Sequence, residues 1–247
     1  MTAQNPTAIV TGAASGIGQA VARRLRDTGY RVAACDISPA ITDVADGFRL
    51  DVTDSTAVEN LVTHVEEHLN PITALVNTAG ILRGGDLTDC RDADWQAMLA
   101  VNTTGVLNVT RAVTRRMIPR RHGAVVTVSS NAAGVPRQGI GGYAATKAAA
   151  THLTRCFGLE LAPHGIRCNV VAPGSTDTPM LRSMWGTDRI DPAAVAAGDP
   201  GRFRLGIPLG TVASVDDVAA AVSFLVSDDA AQLTMQELYI DGGAALR

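Results

Sequence analysis

The sequence predicts an α/β protein: one domain, residues 1–247, built on a doubly wound, seven-stranded parallel sheet with helices on both faces. Three observations support this prediction. Short β-branched apolar runs alternate with longer segments of helical period, as in a chain of βαβ units. The runs are apolar almost throughout, as strands buried on both faces require. No repeat, low-complexity tract or linker divides the chain.

The elements follow from these patterns in chain order. Strands are predicted at residues 7–11, 31–35, 48–50, 72–77, 124–129, 167–172 and 237–240. Helices are predicted at residues 17–28, 55–69, 94–121, 143–161 and 215–227. The irregular region 175–214 contains Pro179, Pro192, Pro200 and Pro208. It is predicted to be a substrate lid, because so long a segment inside one domain usually has a function.

Composition excludes several classes of protein. The net charge of −3 gives no electrostatic support for binding nucleic acid or anionic lipid. No apolar run approaches the ~18 residues of a membrane span, and the N-terminus lacks the basic and apolar regions of a signal peptide. The four cysteines form no CxxC pair and are predicted to be free thiols. We therefore expect a cytoplasmic protein.

A glycine-rich turn, "VTGAASGIGQA", joins the first strand to the first helix. Gly12 allows a tight turn, Gly16 lets a diphosphate approach the backbone, and Gly18 lets the helix pack on the strand. Together with Ser15 and Ile17, these residues predict a dinucleotide site at a helix N-terminus. Glycine turns are common, so this turn alone is weak evidence.

The second strand ends near Asp36, 24 positions after Gly12. A carboxylate at this distance typically accepts hydrogen bonds from the adenine-ribose hydroxyls of NAD and repels the 2′-phosphate of NADP. Neither Ser15 nor Ile37 supplies a cation that would offset this repulsion. The cofactor is therefore predicted to be NAD.

Tyr143 and Lys147, the only lysine of the chain, are four positions apart and share one face of a predicted helix. Ser130 follows the strand at 124–129, at the edge where ligands bind in doubly wound sheets. Oxidation of an alcohol requires a base, and an ammonium group nearby lowers the pKa of a tyrosine. Ser130 could hydrogen-bond the substrate oxygen.

These features, with "VNTAG" at 76–80, "VNTTG" at 101–105 and "APG" at 172–174, resemble the short-chain dehydrogenase/reductase family over essentially the whole chain. The resemblance implies a Rossmann-type fold. It also implies that Ser130 orients substrate, Tyr143 is the acid/base, Lys147 binds the nicotinamide ribose, and Asn102 anchors a water-linked proton relay.

Further cofactor contacts are implied by the same resemblance. Asp51 and Val52 would flank adenine. The ribose side would be flanked by Asn77, Ala79 and Gly80. The nicotinamide would be flanked by Pro173, Thr176 and Thr178. Thr78 replaces the second asparagine of the NNAG motif that the family usually has.

The stretches "AGILRGG" (79–85), "IRCNVVAPGSTDTPMLRSMW" (166–185) and "FRLGIPLG" (203–210) resemble one branch of this family. That branch implies NAD-dependent oxidation of the C3 hydroxyl of 2,3-dihydro-2,3-dihydroxybenzoate. Two alternatives stay open: the analogue with an amine at C2, which would give 3-hydroxyanthranilate, and reduction of a 3-oxoacyl carrier protein.

A dihydroaromatic carboxylate needs a cation, ideally a bidentate arginine. Arg83 and Arg137 are the candidates, since each lies close in sequence to a predicted site residue. Met180 and Trp185, at the start of the lid, could cover the ring. The family resemblance also implies a homotetramer paired through the helices predicted at 94–121 and 143–161.

A competing motif, "HVEEH" at 64–68, matches the H-x-x-E-H zinc signature. The apolar positions of the surrounding helix place His64, Glu67 and His68 mostly on its polar side. A solvated helix is therefore the favoured interpretation, and no metal is predicted.

Overall fold

The computed structural model describes residues 5–186 and 189–246, excluding the side chain of Trp185, and within this part of the chain seven strands form one parallel sheet. Their bounds are β1 Thr7–Thr11, β2 Arg31–Asp36, β3 Gly47–Arg49, β4 Ile72–Asn77, β5 Gly123–Val128, β6 Ile166–Pro173 and β7 Glu237–Ile240. The strand order is β3-β2-β1-β4-β5-β6-β7. The predicted sheet is confirmed, with bounds that shift by one residue or less at each end.

The order reverses between β1 and β4, which creates a crevice at the carboxyl edge of the sheet. There Thr11 pairs with Cys35 of β2 on one side and with Asn77 of β4 on the other. The predicted glycine turn, Asp36 and Ser130 all follow strands at this same edge. The topology thus brings together residues far apart in sequence.

Two helical layers cover the sheet. Over the same described ranges the α-helices are α1 Gly16–Asp27, α2 Ser55–His68, α3 Asp92–Leu99, α4 Val106–Met117, α5 Gly141–Leu161, α6 Pro179–Trp185, α7 Pro192–Ala197 and α8 Val215–Val226. Helices α1 and α8 pack on one face, and α2, α4 and α5 pack on the other. Both faces of the central strands are therefore buried, which accounts for their continuous apolar sequence.

The helix predicted at 94–121 is wrong as a single regular element. The structure contains α3, a π-helical segment Ala100–Gly105, α4 and a final 3₁₀ turn Ile118–Arg120. Hydrophobic periodicity does not reveal an inserted residue, because apolar positions continue on both sides of the π segment. Such insertions are frequent at functional sites.

The predicted lid, residues 175–214, was expected to be irregular, but it contains two short helices. Pro179 and Pro192 each occupy the first turn of a short helix, α6 and α7. A proline there lacks only an N–H group that would have no intrahelical partner, and its fixed φ favours the helix. Thr178 and Asp191 cap these helices through their side chains.

Candidate active site

The glycine turn fits the predicted dinucleotide role. Gly12 has φ +68°, and a Cβ on it would lie 2.8 Å from Cα of Ala79. A Cβ on Gly18 would collide with the carbonyl oxygen of Gly12. Ser15 precedes α1 but makes no capping hydrogen bond with its side chain. The Ser15 side chain therefore does not occupy the first-turn amides of α1. A diphosphate site at a helix N-terminus requires such amides as donors.

Asp36 ends β2 and is fixed by two main-chain donors. Its Oδ2 accepts from the Ala14 amide at 3.0 Å, and its Oδ1 accepts from the Ser38 amide at 2.9 Å. The first bond ties the carboxylate to the glycine turn. Each carboxylate oxygen retains a lone pair for a ribose hydroxyl. The neighbouring Ile37 is 60% exposed and supplies no charge.

Threonine side chains fasten β4 to β1 beside this turn. Oγ1 of Thr11 accepts from the amides of Thr78 and Ala79, both at 3.2 Å. The Thr78 hydroxyl donates in return to the Thr11 carbonyl oxygen. Thr78, which departs from the usual family motif, therefore has a structural role. It positions Ala79 and Gly80 at the crevice.

Asn77 was expected beside the cofactor ribose, but its side chain bonds inside the core instead. Its Nδ2 donates to Oγ1 of Thr110 at 3.0 Å and to Oγ1 of Thr127 at 3.4 Å, inside the core. Asn77 thus orients the end of β4. Asp51 is exposed and accepts from the amide and hydroxyl of Thr53, while Val52 is buried against Gly105.

Ser130, Tyr143 and Lys147 meet at the carboxyl edge of β5. The Tyr143 hydroxyl is hydrogen-bonded to Ser130. Nζ of Lys147 donates to the Val128 carbonyl oxygen at 2.9 Å and lies 5.9 Å from the centroid of the Tyr143 ring. Tyr143 is 7% exposed and Lys147 4% exposed. The sequence therefore placed these three side chains correctly with respect to one another.

Burial dominates the protonation of this pair. It raises the pKa of Tyr143 to about 12, although the hydrogen bond from Ser130 acts in the opposite direction. It lowers the pKa of Lys147 to about 8. The sequence argument expected a lowered Tyr143 pKa, and the structure shows the reverse. Desolvation of the phenolate outweighs the Ser130 hydrogen bond, and the Lys147 ammonium is directed at a carbonyl oxygen.

Asn102 lies in the π-helical segment and is fully buried. Its Nδ2 donates to the Ile81 carbonyl oxygen at 2.9 Å, and its Oδ1 accepts from the Ile81 amide at 2.8 Å. A Cβ on Gly80 would lie 3.2 Å from Nζ of Lys147 and 3.3 Å from Oδ1 of Asn102. Asn102 and Lys147 thus border one small space beside Gly80, as a proton relay would require.

The lid begins beside the glycine turn. Pro173 ends β6, and Thr176, almost fully buried, donates from Oγ1 to the Gly174 carbonyl oxygen at 3.3 Å. Cγ2 of Thr178 lies 3.4 Å from the Cβ position of Gly16. These contacts place the predicted nicotinamide-side residues across from the predicted diphosphate turn.

A cleft of about 720 Å³ opens between this edge and the lid. Residues from both sides line it, and they include Ile17, Ser130, Arg137, Tyr143, Pro173, Thr176, Thr178, Met180 and Arg204. The volume suits a small ligand, since such sites usually measure 300–1,000 Å³. The side chain of Trp185, a predicted substrate contact, lies outside the described part of the chain.

The two predicted arginines separate in the structure. Arg137 lines the cleft and donates to the Ala244 carbonyl oxygen at 3.3 Å. Arg83 instead lines a smaller adjoining pocket, where its Nε lies 3.7 Å from Oδ1 of Asp94. Only Arg137 of the two is therefore brought to the cleft that contains Tyr143.

Two residues in or beside the cleft were not predicted from the sequence. Arg204 lines it from the lid and donates to Oγ of Ser175 at 2.9 Å. Asp241, which follows β7, accepts from Nδ2 of Asn131 at 3.1 Å and from the Ala245 amide at 2.9 Å. A polar residue just after a strand was an available signal for Asp241, whereas nothing distinguished Arg204 among twenty arginines.

The remaining sequence predictions concern the histidine motif, the cysteines and membrane-spanning segments. His64 and His68 stack with ring centroids 4.3 Å apart on the exposed side of α2. Among the residues that the structure describes, no three His, Cys, Asp or Glu side chains are grouped as metal ligands. All four cysteines are free thiols, as predicted. None of the helices in the described ranges is both long and apolar enough to cross a bilayer.

A doubly wound sheet with a glycine turn, an acidic residue at the end of β2, and a half-buried serine beside a buried Tyr–Lys pair is typical of nicotinamide-dependent oxidoreductases. Comparison with known proteins supports this class. A family model described as Enoyl-(Acyl carrier protein) reductase matches residues 12–245. The chain belongs to the short-chain dehydrogenase/reductase family.

Individual relatives are similar over nearly their full length. The 2,3-dihydro-2,3-dihydroxybenzoate dehydrogenase of Bacillus subtilis (strain 168) is 46% identical, with 97% of this chain and 95% of the relative covered. The Escherichia coli (strain K12) protein of the same name is 40% identical, with 96% of each covered. The ligand-free aldohexose dehydrogenase structure of Thermoplasma acidophilum has a TM-score of 0.86 at 30% identity, covering 99% of this chain and 95% of that chain.

Proposed function

We propose that this protein oxidises the C3 hydroxyl of 2,3-dihydro-2,3-dihydroxybenzoate with NAD and gives 2,3-dihydroxybenzoate. The observation that carries the proposal is one cleft lined by Ser130, Tyr143 and Arg137. In the proposal, Tyr143 is the acid/base for the alcohol, Ser130 holds the alcohol oxygen, and Arg137 is the cation for the carboxylate in the same small space. Two relatives of 40% identity or more bear the corresponding name.

In the proposed reaction the substrate loses a hydride from C3 and a proton from its C3 hydroxyl. Ser130 donates a hydrogen bond to that oxygen, and Tyr143 accepts the proton as phenolate. Bound NAD supplies the hydride acceptor and a positive charge in the cleft, which favours the phenolate. The resulting enone tautomerises to the aromatic catechol, which makes the reaction effectively one-way.

Lys147 then exchanges the proton with solvent through a water, and Asn102 anchors this relay. Both border the space beside Gly80, where a water and the ribose hydroxyls would be held. A pKa of about 8 lets Lys147 gain or release a proton near neutral pH. Because both side chains are fixed by main-chain partners, the relay geometry is set before substrate binds.

The residues present fit NAD. A Cβ at Gly12 would occupy the crevice beside Ala79, and Asp36 is held so that it accepts further hydrogen bonds. We expect NAD to be favoured over NADP by at least ~10-fold in kcat/KM. Asp36→Ala should erode that preference, whereas Asp43→Ala, on an exposed 3₁₀ turn, should not. Equal use of both cofactors by the wild type would remove the role given to Asp36.

The test of the reaction is to mix the protein with NAD and each of two acids, and to follow NADH absorbance. The acids are 2,3-dihydro-2,3-dihydroxybenzoate and its analogue with an amine at C2. A third arm offers a 3-oxoacyl thioester with NADPH. The proposal expects the fastest turnover with the first acid, and faster turnover in either other arm would replace it.

Assembly and location also belong to this proposal. We infer a homotetramer paired through α4 and α5, and a cytoplasmic location. Helix α5 supports the pairing because Leu159 on it is 68% exposed, which is costly for a large apolar side chain that stays in water. Light scattering at micromolar concentration should give four times the mass of one chain, and a monomer mass would contradict it.

A further inference from the structure

Two guanidinium groups from different parts of the fold line the same cleft. Arg137 lies in the loop between β5 and α5, close to Ser130, and Arg204 lies in the lid. The loop connects two elements of the α/β body, whereas the lid is a separate segment that follows β6. An anion placed between them would contact both parts of the molecule.

Arg204 is partly buried and lies near the positive charge of Arg137. Burial lowers its pKa, the nearby charge of Arg137 lowers it further, and Asp199 raises it in part. Arginine does not release its proton in proteins, so the repulsion between the two guanidinium groups persists. Asp199 is shared with Arg202, whose Nε lies 3.9 Å from Oδ2 of Asp199. A bound anion would offset the repulsion.

A tight turn directs Arg204 toward the cleft. The amide of each of Asp199 and Arg204 donates to the carbonyl oxygen of the other, both at 2.9 Å. Between them Phe203 has φ +53°, a conformation that costs free energy for a bulky side chain, and is 91% exposed. The turn therefore leaves an aromatic ring in water and half-buries a cation, the reverse of what burial alone favours.

We propose that Arg204 is a specificity-determining residue that binds the substrate carboxylate together with Arg137, one from the lid and one from the body. This inference rests on the proposed function and adds the group that selects for a carboxylate. Two forked donors can together satisfy both carboxylate oxygens. The bound carboxylate would then contact both the lid and the body.

The test compares ligands that differ only in the carboxylate. Calorimetry in the presence of NADH would measure Kd for 2,3-dihydroxybenzoate and for catechol, which lacks the acid group. Wild type, Arg204→Gln and Arg204→Lys would be compared with Arg182→Ala. Arg182 is a lid residue that pairs with Asp177 at 2.9 Å and serves as the matched control.

We expect Arg204→Gln to weaken 2,3-dihydroxybenzoate binding at least ~10-fold, because charge-assisted hydrogen bonds are lost. Catechol binding should stay within about twofold of wild type, since it makes no such bonds. Arg204→Lys should restore only part of the loss, and Arg182→Ala should resemble wild type. A thermal midpoint near that of wild type shows that the variants fold.

The inference is overturned if Arg204→Gln keeps the wild-type preference for the carboxylate, or weakens both ligands equally. Its failure is distinguishable from failure of the proposed function. Oxidation of the dihydrodiol by the wild type tests the reaction, whereas the ratio of the two Kd values tests Arg204. A wild type that oxidises the dihydrodiol but binds both ligands equally well contradicts the inference about Arg204 and leaves the proposed reaction standing.

Discussion

The catalytic edge of the sheet and the lid are held by different means. At the edge, Asn102 and Lys147 are buried and bond to main-chain atoms of Ile81 and Val128. In the described part of the lid, the buried side chains are Thr176, Leu181 and a small apolar cluster around Val195 and Ile207, and Phe203 is almost fully exposed. In the proposed function, the chemistry depends on the buried edge of the sheet, while substrate choice depends on Arg137 and on the less buried lid.

The largest expected effect lies at the edge. Tyr143→Phe removes the group that accepts the alcohol proton and changes little in packing. We expect kcat to fall at least ~1,000-fold. The control is Tyr30→Phe, whose hydroxyl donates to the Val226 carbonyl oxygen at 3.4 Å, outside the cleft. Steady-state kinetics of both variants would check this, and a Tyr143→Phe enzyme within tenfold of wild type would move the base elsewhere.

Lys147→Arg tests whether charge alone suffices at the edge. The longer, planar guanidinium must enter a site where the lysine is 4% exposed and bonds to the Val128 carbonyl oxygen. We expect kcat/KM to fall at least ~100-fold while the fold survives. The measurement is kcat/KM from pH 7 to 10. Activity within a few-fold of wild type across that range would show that arginine suffices.

Lys147 should also make the free energy of unfolding depend on pH. Its pKa of about 8 lies below the usual 10.5, so between these values only the unfolded chain binds the proton. From pH 7.5 to 9.5, the wild type should gain about 2 kcal/mol in free energy of unfolding relative to Lys147→Met. Toward pH 12 the free energy of unfolding of both proteins should fall, because the raised pKa of Tyr143 leaves the folded state with a proton that the unfolded chain loses.

Urea midpoints at fixed protein concentration would check this prediction. Identical pH dependence of wild type and Lys147→Met would mean that Lys147 titrates normally and is not desolvated.

The proposed carboxylate partners should show a different kinetic signature. Arg137→Ala removes a carboxylate partner that takes no part in proton transfer. We expect KM to rise about tenfold with kcat nearly unchanged, and Arg137→Lys to rescue poorly. Arg83→Ala is the matched control, because Arg83 lies outside the main cleft beside Asp94. If Arg83→Ala raises KM instead, the carboxylate lies in the smaller pocket.

The same contrast explains what could be predicted from the sequence. Strands β1 and β4 have the predicted bounds, because buried parallel strands require continuous apolar runs, and the short edge strand β7 also has its predicted bounds. Ser130, Tyr143 and Lys147 were recognisable because their spacing reflects one strand end and one helix face. Most of the fold and the catalytic edge were therefore accessible from local patterns.

The rest depends on tertiary contacts. The π-helical segment that presents Asn102 has no periodic signature, and the pKa of Tyr143 is set by burial, which spacing does not report. Arg204 reaches the cleft through a turn that contains a left-handed Phe203, and that conformation is not favoured by its residue type. Substrate recognition was thus harder to predict than catalysis.

The central claim is that the edge performs the chemistry and the lid, with Arg137, selects the acid. The most direct test is kcat and KM of the double variant Arg137→Ala/Arg204→Ala, at saturating NAD, on 2,3-dihydro-2,3-dihydroxybenzoate. The account predicts KM raised about 100-fold, with kcat within a few-fold of wild type. A kcat that falls about 100-fold while KM stays unchanged would mean that the two regions do not divide the work in this way.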